Sequence, residues 1–345
     1  MNKQQLRADN HYVPKLYMKQ WAPDGSIPTY RLLVPNDNIP MWKNHSLKGI
    51  AYHQHLYTYL AGQEETDEFE RWLDREFEQP AEEAIRRVTH ELPLKPEHWR
   101  RLARFAVAQD VRTPARLKEF IRRQNETLPA LMNETLERAI NRLEQSGERS
   151  ESPSEVKTVG SGYSPIELSI EKQPDGSGRI LAEATVGRRL WIWQMTHLLT
   201  ETIERLPNHR WTILHAPNGM SWPTSDNPLV RLNFQNSKNY NFGGGWGVKN
   251  GDILLPLSPK HLLYTSIGNK PWQRGTVLGI SLFQLLRKII IEHADRYIFA
   301  QEPGDIHLIR PRRVCPHTYK QEQVAWKNWH REQCCAEAKL SANSP

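Results

Sequence analysis

Two kinds of hydrophobic periodicity, one in each half of the chain, limit the folds that are open to it. From about Thr66 to Gln145 apolar residues recur at helical spacing, whereas after Trp211 they alternate with polar residues, as in strands with one buried face. Long helices combined with a mainly antiparallel sheet satisfy both patterns. The sequence therefore predicts an α+β protein, in which a helix-rich N-terminal half packs on a mainly antiparallel sheet with long helices in the C-terminal half.

Helix boundaries are indicated by prolines and by a threonine cap. Five long helices, each with an apolar stripe on one face, are predicted at residues 66–88, 96–111, 114–145, 187–206 and 275–299. Thr113 is the expected N-cap of the third helix, with Pro114 as its first residue. Pro80 should kink the first helix. Strands are predicted at residues 29–34, 52–60, 211–215, 229–234, 253–257 and 262–266.

A shift in composition divides the chain. Residues 146–164 are rich in Ser, Glu, Gly and Lys and nearly without apolar side chains, which predicts a flexible linker or loop. It separates a helical lobe with short N-terminal strands, residues 1–145, from a sheet-plus-helix lobe, residues 165–300. Residues 301–345 form a basic C-terminal extension. We expect the two lobes to form one compact unit.

The charge balance points to an anionic partner. Lysine and arginine outnumber acidic residues by 46 to 39, which gives a formal net charge of +7. Clustered basic side chains gain from counterion release on a polyanion, so nucleic acid or a nucleotide is the expected partner. Three cysteines near the C-terminus, an N-terminus without a signal-peptide core and the lack of a long apolar run predict a cytoplasmic protein with no membrane segment.

Gln109 and Arg112 are polar residues that continue the apolar stripe of the second helix. With the free N–H groups that begin the next helix, they would form a small anion pocket. The alternative is that both hydrogen-bond a neighbouring loop or helix end. Glu76 also falls on the expected core side, and Arg112 would be a natural partner for its carboxylate. An ordinary ion pair, or exposure by the kink, are the alternatives; Glu70 and Glu78 are weaker candidates.

Two further segments offer reactive groups. His11, Tyr12 and Lys15 bring an imidazole, a phenol and an ammonium group together, which suits acid–base chemistry and phosphate binding, although a lone histidine is commonly a structural hydrogen-bonder. Ser225, Asp226 and Asn227 precede Pro228 and a predicted strand. A tight turn is the plain interpretation, and Asp226 as a base or metal ligand at the sheet edge is the functional one.

Two weaker patterns complete the set. The glycine-rich run 243–247 lacks the Lys-Ser/Thr and helix of a phosphate-binding loop, so it predicts a hairpin or lid. Cys315, His317, His330 and Cys334 are four residues of the types that bind zinc, but a single residue between the first Cys and His is tighter than usual zinc spacing.

Several segments in order resemble the bacterial family of unknown function 4238 (DUF4238). They are residues 11–15 with Tyr17 and Trp21, 56–58, 109–114, and 224–228 followed by 256–259. The resemblance implies that a characteristic polar set of the family is present here, namely His11, Gln109, Arg112, Asp226 and Asn227. It implies no activity.

If this set lines one cleft, its chemistry suits hydrolysis or transfer at a phosphoester. His11 would act as general acid or base, Arg112 would stabilise phosphoryl charge, and Asp226 would orient His11 or hold a divalent metal ion. Glu76 would join the catalytic group. The expected binding residues are Tyr12, Lys15, Gln109, Ser225 and Asn227.

These expectations lead to a functional hypothesis with two alternatives. The hypothesis is a nuclease-like or phosphoesterase-like hydrolase in a bacterial phage-defence or toxin setting. One alternative is a non-catalytic sensor or interaction protein that binds a nucleotide or nucleic acid. The other is a structural hydrogen-bond network that clamps the two halves together.

Overall fold

The computed structural model describes residues 6–146, 166–172, 178–205 and 209–343. Helices and mainly antiparallel sheets occur in both halves, which confirms the α+β class. Within these ranges, no helix is both long and apolar enough to span a bilayer. Apart from Ser146, the predicted linker at 146–164 lies outside the described residues.

The helices of the first half lie close to the predicted boundaries. They are Lys15–Met18 with the 3-10 turn Lys19–Trp21, Glu68–Leu73, Gln79–Thr89, Pro96–Val111 and Pro114–Ser146. A π-helical turn at Asp74–Glu78 lies just before Pro80, where the sequence predicts a kink. Because hydrogen bonds in a π turn span five residues rather than four, this turn changes which side chains face the core after it.

The helices of the second half include one that is shorter than predicted. They are Arg188–His197, the π turn Leu198–Thr202, Ile203–Arg205, Ile280–His293, Ile306–Ile309 and Pro316–Asn343. The helix predicted to reach Phe299 ends at His293, and Tyr297–Phe299 is a strand. Pairing with Ser26–Arg31 buries Ile298 and Phe299, which outweighs the helical pattern.

Six strands of the described chain form the predicted sheet of the second half. In spatial order they are Asn239–Asn241, Val230–Asn236, Asp252–Pro256, His261–Ser266, Thr212–His215 and Thr276–Val277. Neighbours are antiparallel except for the last pair, which is parallel. The mainly antiparallel character that alternation predicts is thereby confirmed.

A second sheet joins strands from both halves, in the order Thr224–Ser225, Tyr297–Phe299, Ser26–Arg31 and Trp42–Ser46. The other strands form pairs: Asp9–His11 with Tyr52–Gln54, Leu33–Val34 with Arg313–Val314, Tyr59–Ala61 with Glu64–Thr66, and Ile166–Lys172 with Gly178–Ala184. The strand predicted over residues 52–60 is therefore two strands, and between them His55 has a left-handed φ of 54°.

Buried polar contacts hold the two halves against each other. The Tyr17 hydroxyl donates to the Pro256 carbonyl at 2.6 Å, and the Trp21 indole N–H donates to the Trp222 carbonyl at 2.8 Å. The C-terminal helix, Pro316–Asn343, is anchored by a buried ion pair in which Arg188 donates twice to Glu337, at 2.8 and 2.9 Å. Glu337 also accepts the N–H of Leu60 at 2.9 Å, which places the C-terminal helix beside the first half.

Candidate ligand-binding cleft

Arg112 is the centre of a buried ion-pair network. Its side chain is fully buried just after the helix Pro96–Val111. The guanidinium donates to the Glu78 carboxylate at 2.5 Å and to the His11 carbonyl at 2.6 Å, and it lies 5.8 Å from the centre of the Tyr57 ring. The Tyr57 hydroxyl in turn donates to the Arg112 carbonyl. Arg112 thus joins the N-terminal strand to two helices.

The acidic partner of Arg112 is Glu78, and the predicted position of Glu76 in the core was wrong. The Glu76 side chain is 42% exposed and pairs with Arg75 at 2.8 Å. Both glutamates lie in the π-helical turn, whose wider spacing brings Glu78 rather than Glu76 to the core side. Glu70 lies 3.7 Å from Arg112, and burial raises its pKa to about 8 although Arg112 acts in the opposite direction. Glu78, at 2.5 Å, is therefore the closer ion-pair partner of Arg112.

The remaining N-terminal candidates lie near this network. The His11 ring Nε2 is 3.2 Å from the Leu47 carbonyl, and burial, followed by the charge of Lys15, lowers the pKa of His11. Lys15 itself is exposed. The Gln109 side chain is fully buried, and its amide nitrogen and oxygen have no hydrogen-bond partner within the described ranges.

The segment 225–227 forms the tight turn that the sequence predicts. The Ser225 hydroxyl accepts the Asn227 N–H at 3.1 Å, and the Asn227 side chain accepts a hydrogen bond from Thr113 at 3.1 Å. The Asp226 carboxylate accepts the N–H groups of Asp295 and Arg296 at 2.9 and 2.7 Å. The turn is therefore tied both to the third helix and to the chain that follows His293.

An open cleft of about 630 Å³ lies next to this turn. Its walls come from the segments 49–54, 295–297 and 319–327, together with Tyr12, Pro114, Lys118 and Asp226. The first of these segments precedes and includes the strand Tyr52–Gln54, and the last is the first part of the C-terminal helix. The cleft is thus built by both halves of the chain and closed on one side by the C-terminal helix.

Charged groups in the cleft are mostly paired with one another. Asp295 accepts from Lys118 at 2.7 Å and from Arg296 at 2.8 Å, and Arg296 also pairs with Glu322. Burial and the nearby charge of Asp295 raise the pKa of Asp226 to about 7, although the two backbone N–H groups act in the opposite direction. Asp226 is thus a buried carboxylate in the cleft whose pKa is shifted toward neutral pH.

One wall of the cleft is aromatic. The Tyr12 and His53 rings stack with centroids 5.5 Å apart, and the His53 and Trp326 rings stack with centroids 3.9 Å apart. Burial, and then the charge of Lys118, lowers the pKa of His53 to about 4, so the ring is neutral at pH 7. Burial, and then the charge of Asp226, raises the pKa of Tyr12. Both rings therefore present uncharged faces.

The structure brings together only part of the predicted site. Tyr12 and Asp226 line the cleft, whereas the other predicted residues do not: His11, Lys15, Glu76, Gln109, Arg112, Ser225 and Asn227. Sequence reasoning did not find Lys118, His53, Asp295 or Trp326. Lys118 lies one turn into the helix that Thr113 caps. Its position near the start of this predicted helix was the one feature of the sequence that could have indicated it.

The fold and the cleft define an α+β protein with an open, partly aromatic and partly charged binding cleft. The chain belongs to the family described as protein of unknown function (DUF4238), whose model matches residues 9–303. This confirms the resemblance. No curated protein and no solved structure matches the chain. The match includes most of the cleft but ends before the wall formed by the C-terminal helix.

The two neighbouring glutamates allow a direct test of the Arg112 network. Glu78→Gln leaves a buried guanidinium without its charged partner, and we expect the free energy of unfolding to fall by about 3 kcal/mol, because Glu70 can ionise and recover part of the loss. The exposed Glu76→Gln should change it by less than about 0.5 kcal/mol. Chemical denaturation measures both. Equal effects of the two substitutions would contradict the assignment.

Proposed function

We propose that the cleft binds a nucleotide or a short stretch of single-stranded nucleic acid. The observation that carries this proposal is the arrangement of the C-terminal helix, where Trp326 lies beside two exposed lysines, Lys320 and Lys327, that line the same cleft. Neither lysine side chain has an ion pair or hydrogen bond among the residues that the structure describes. They are therefore available to an anionic ligand.

The spacing of these groups suits a ligand with both a base and phosphates. Lys320 and Lys327 are seven residues apart, which is close to two helical turns and about 10 Å, so both project from one side of the helix. Stacking of a base on an aromatic side chain contributes about 1–3 kcal/mol, and a Lys ammonium group attracts phosphate as a point charge. Trp326 and the two lysines supply these two interactions together.

The size and polarity of the cleft are also those of a small-molecule site. Its volume of about 630 Å³ falls within the usual range of roughly 300–1,000 Å³ for ligand pockets. The aromatic wall offers apolar faces, while Gln54 and Gln323 add neutral polar groups that can bind the edge of a base. This combination favours a nucleotide over a simple inorganic anion.

Removing the two free lysines tests the proposal. With a panel of mononucleotides and short RNA and DNA strands, we expect the Lys320→Ala, Lys327→Ala double variant to bind at least about tenfold more weakly, with a smaller dependence on salt. The matched control is Lys238→Ala with Lys270→Ala, which removes the same charge from exposed positions outside the cleft lining. Fluorescence anisotropy measures all three proteins. Equal loss in both double variants, or no binding by the unmodified protein, would contradict the proposal.

A second candidate function, hydrolysis of a phosphoester in the same cleft, is favoured by Asp226. Its carboxylate lines the cleft, is held by two backbone N–H groups and has a pKa of about 7, which is suited to a general base. The roles first expected for His11 and Arg112 are not retained in this proposal, because neither lines the cleft and the Arg112 guanidinium is already paired. Groups of three metal-ligating side chains in the described chain do not include Asp226.

The hydrolysis candidate makes a prediction about pH. Because a base must be deprotonated to act, the rate should rise as the pH increases through about 7. Asp226→Asn should lower the rate by at least about 100-fold while nucleotide binding is retained. Assays of product release with and without Mg²⁺ between pH 5 and 9 measure this. Full activity in Asp226→Asn would exclude the mechanism, and its absence in the unmodified protein would leave binding as the function.

We propose a cytoplasmic setting for this activity. The three cysteines, Cys315, Cys334 and Cys335, are free thiols, which suits a reducing compartment. A role in phage defence or as a toxin stays a prediction.

A further inference from the structure

Two histidines face each other across neighbouring strands, outside the lining of the cleft. His215 is the register partner of His261 in the antiparallel pair Thr212–His215 and His261–Ser266. Residues paired across strands project from the same face of a sheet, and the two rings meet edge to face with centroids 4.8 Å apart. Their imidazoles are thus held together by the sheet itself.

A carboxylate reaches the same point from a different part of the chain. Glu91 follows the helix Gln79–Thr89 with a left-handed φ of 57°, and its Oε1 lies 3.9 Å from His261 Nε2. One ligand atom from each of the three side chains lies within 4.8 Å of the other two. In this arrangement two imidazoles and one carboxylate converge from three separate segments.

His261 has a buried nitrogen without a partner. The residue is 2% exposed, and its Nε2 forms no hydrogen bond within the described part of the chain. Its Nδ1 lies 2.8 Å from the Ser258 hydroxyl, whose oxygen also accepts the backbone N–H groups of Lys260 and His261, each at 3.2 Å. A buried polar atom normally has a partner, so the free Nε2 points to a missing ligand.

We propose that Glu91, His215 and His261 form a binding site for a transition-metal ion of the zinc type. Imidazole and carboxylate ligands suit Zn²⁺ and similar ions, whereas Mg²⁺ and Ca²⁺ prefer sites made of oxygen atoms. In tetrahedral zinc sites neighbouring N and O ligands lie roughly 3.4 Å apart, so the Glu91–His261 separation of 3.9 Å would close by about 0.5 Å, and the His215 side chain would adjust as well. The fourth position would be filled by water or a substrate atom.

Nearby cations set the character of this site. Lys260 donates to Glu91 Oε1 at 2.5 Å, and burial, followed by nearby charges that include Lys260 and Arg274, lowers the pKa of both histidines. The positive charges of Lys260 and Arg274 repel a bound cation. They therefore further disfavour Mg²⁺ and Ca²⁺, which depend on the charge of carboxylate ligands. Glu91 and Lys260 are both exposed, so the Lys260 ammonium can move to the other carboxylate oxygen when Oε1 binds a metal.

Two other sets of possible ligands within the described part of the chain are less suited to a metal. His55, Glu65 and His330 also cluster, but both ring nitrogens of His330 already have partners, Glu65 at 2.9 Å and the buried Arg188 guanidinium at 3.0 Å. The zinc set considered from sequence is wrong, because His317 and His330 are 13 residues apart on one helix, which is about 20 Å.

The test uses the full chain, stripped with a chelator and then titrated with Zn²⁺. We expect one Zn²⁺ per chain by calorimetry and elemental analysis, and a rise in Tm of about 5 °C at a hundredfold excess over the Kd. Glu91→Gln and His215→Ala should each weaken binding by at least about tenfold. Both residues are more accessible than His261, so these variants are expected to fold. His330→Ala, which removes a histidine from the other cluster, is the matched control and should bind normally.

Three outcomes would overturn the assignment. They are no binding of Zn²⁺ by the unmodified protein, unchanged binding by Glu91→Gln and His215→Ala, and loss of binding only in His330→Ala, which would place the ion at the other cluster. Nucleotide binding in the cleft does not depend on this site, so the two proposals succeed or fail separately.

Discussion

The buried charge of Arg112 is the constraint on which the arrangement of the N-terminal half depends. A guanidinium without access to water needs an anionic partner and further hydrogen-bond acceptors, and here these come from Glu78 and the backbone carbonyl of His11. The same residue offers its own carbonyl to Tyr57. Since each partner belongs to a different segment, the ion pair forms only when the N-terminal strand, the first long helix and the second helix are correctly placed.

The cleft forms where the N-terminal half, held by the Arg112 network, meets the second half of the chain. Thr113, the residue after Arg112, donates to Asn227, and the neighbouring Asp226 binds the backbone at Asp295 and Arg296. The turn is therefore fixed from both sides, which holds the buried Asp226 carboxylate in the lining of the cleft. The C-terminal helix, held by Arg188 and Glu337, covers one side of that space and brings Trp326 onto His53.

Local sequence patterns predicted the elements well and the site only in part. Pro96, Thr113 and Pro114 fix helix starts through backbone chemistry that acts within a few residues, so those boundaries were confirmed. Glu76 was misplaced because helical spacing assumes 3.6 residues per turn, and the π turn at Asp74–Glu78 departs from it. Lys118, Asp295 and Trp326 are far apart in sequence and meet only through tertiary packing, which no local pattern encodes. Glu91, His215 and His261 were missed for the same reason.

The central claim is that a ligand occupies the cleft and that the Arg112 network only supports the fold. A crystal structure of the protein grown with a nucleotide that it binds tests this most directly. The account predicts that the base lies against the aromatic wall at His53 and Trp326 and that the phosphates lie near Lys320 and Lys327, with Arg112 still paired with Glu78. A nucleotide bound to the Arg112 guanidinium beside His11, with the cleft empty, would contradict it.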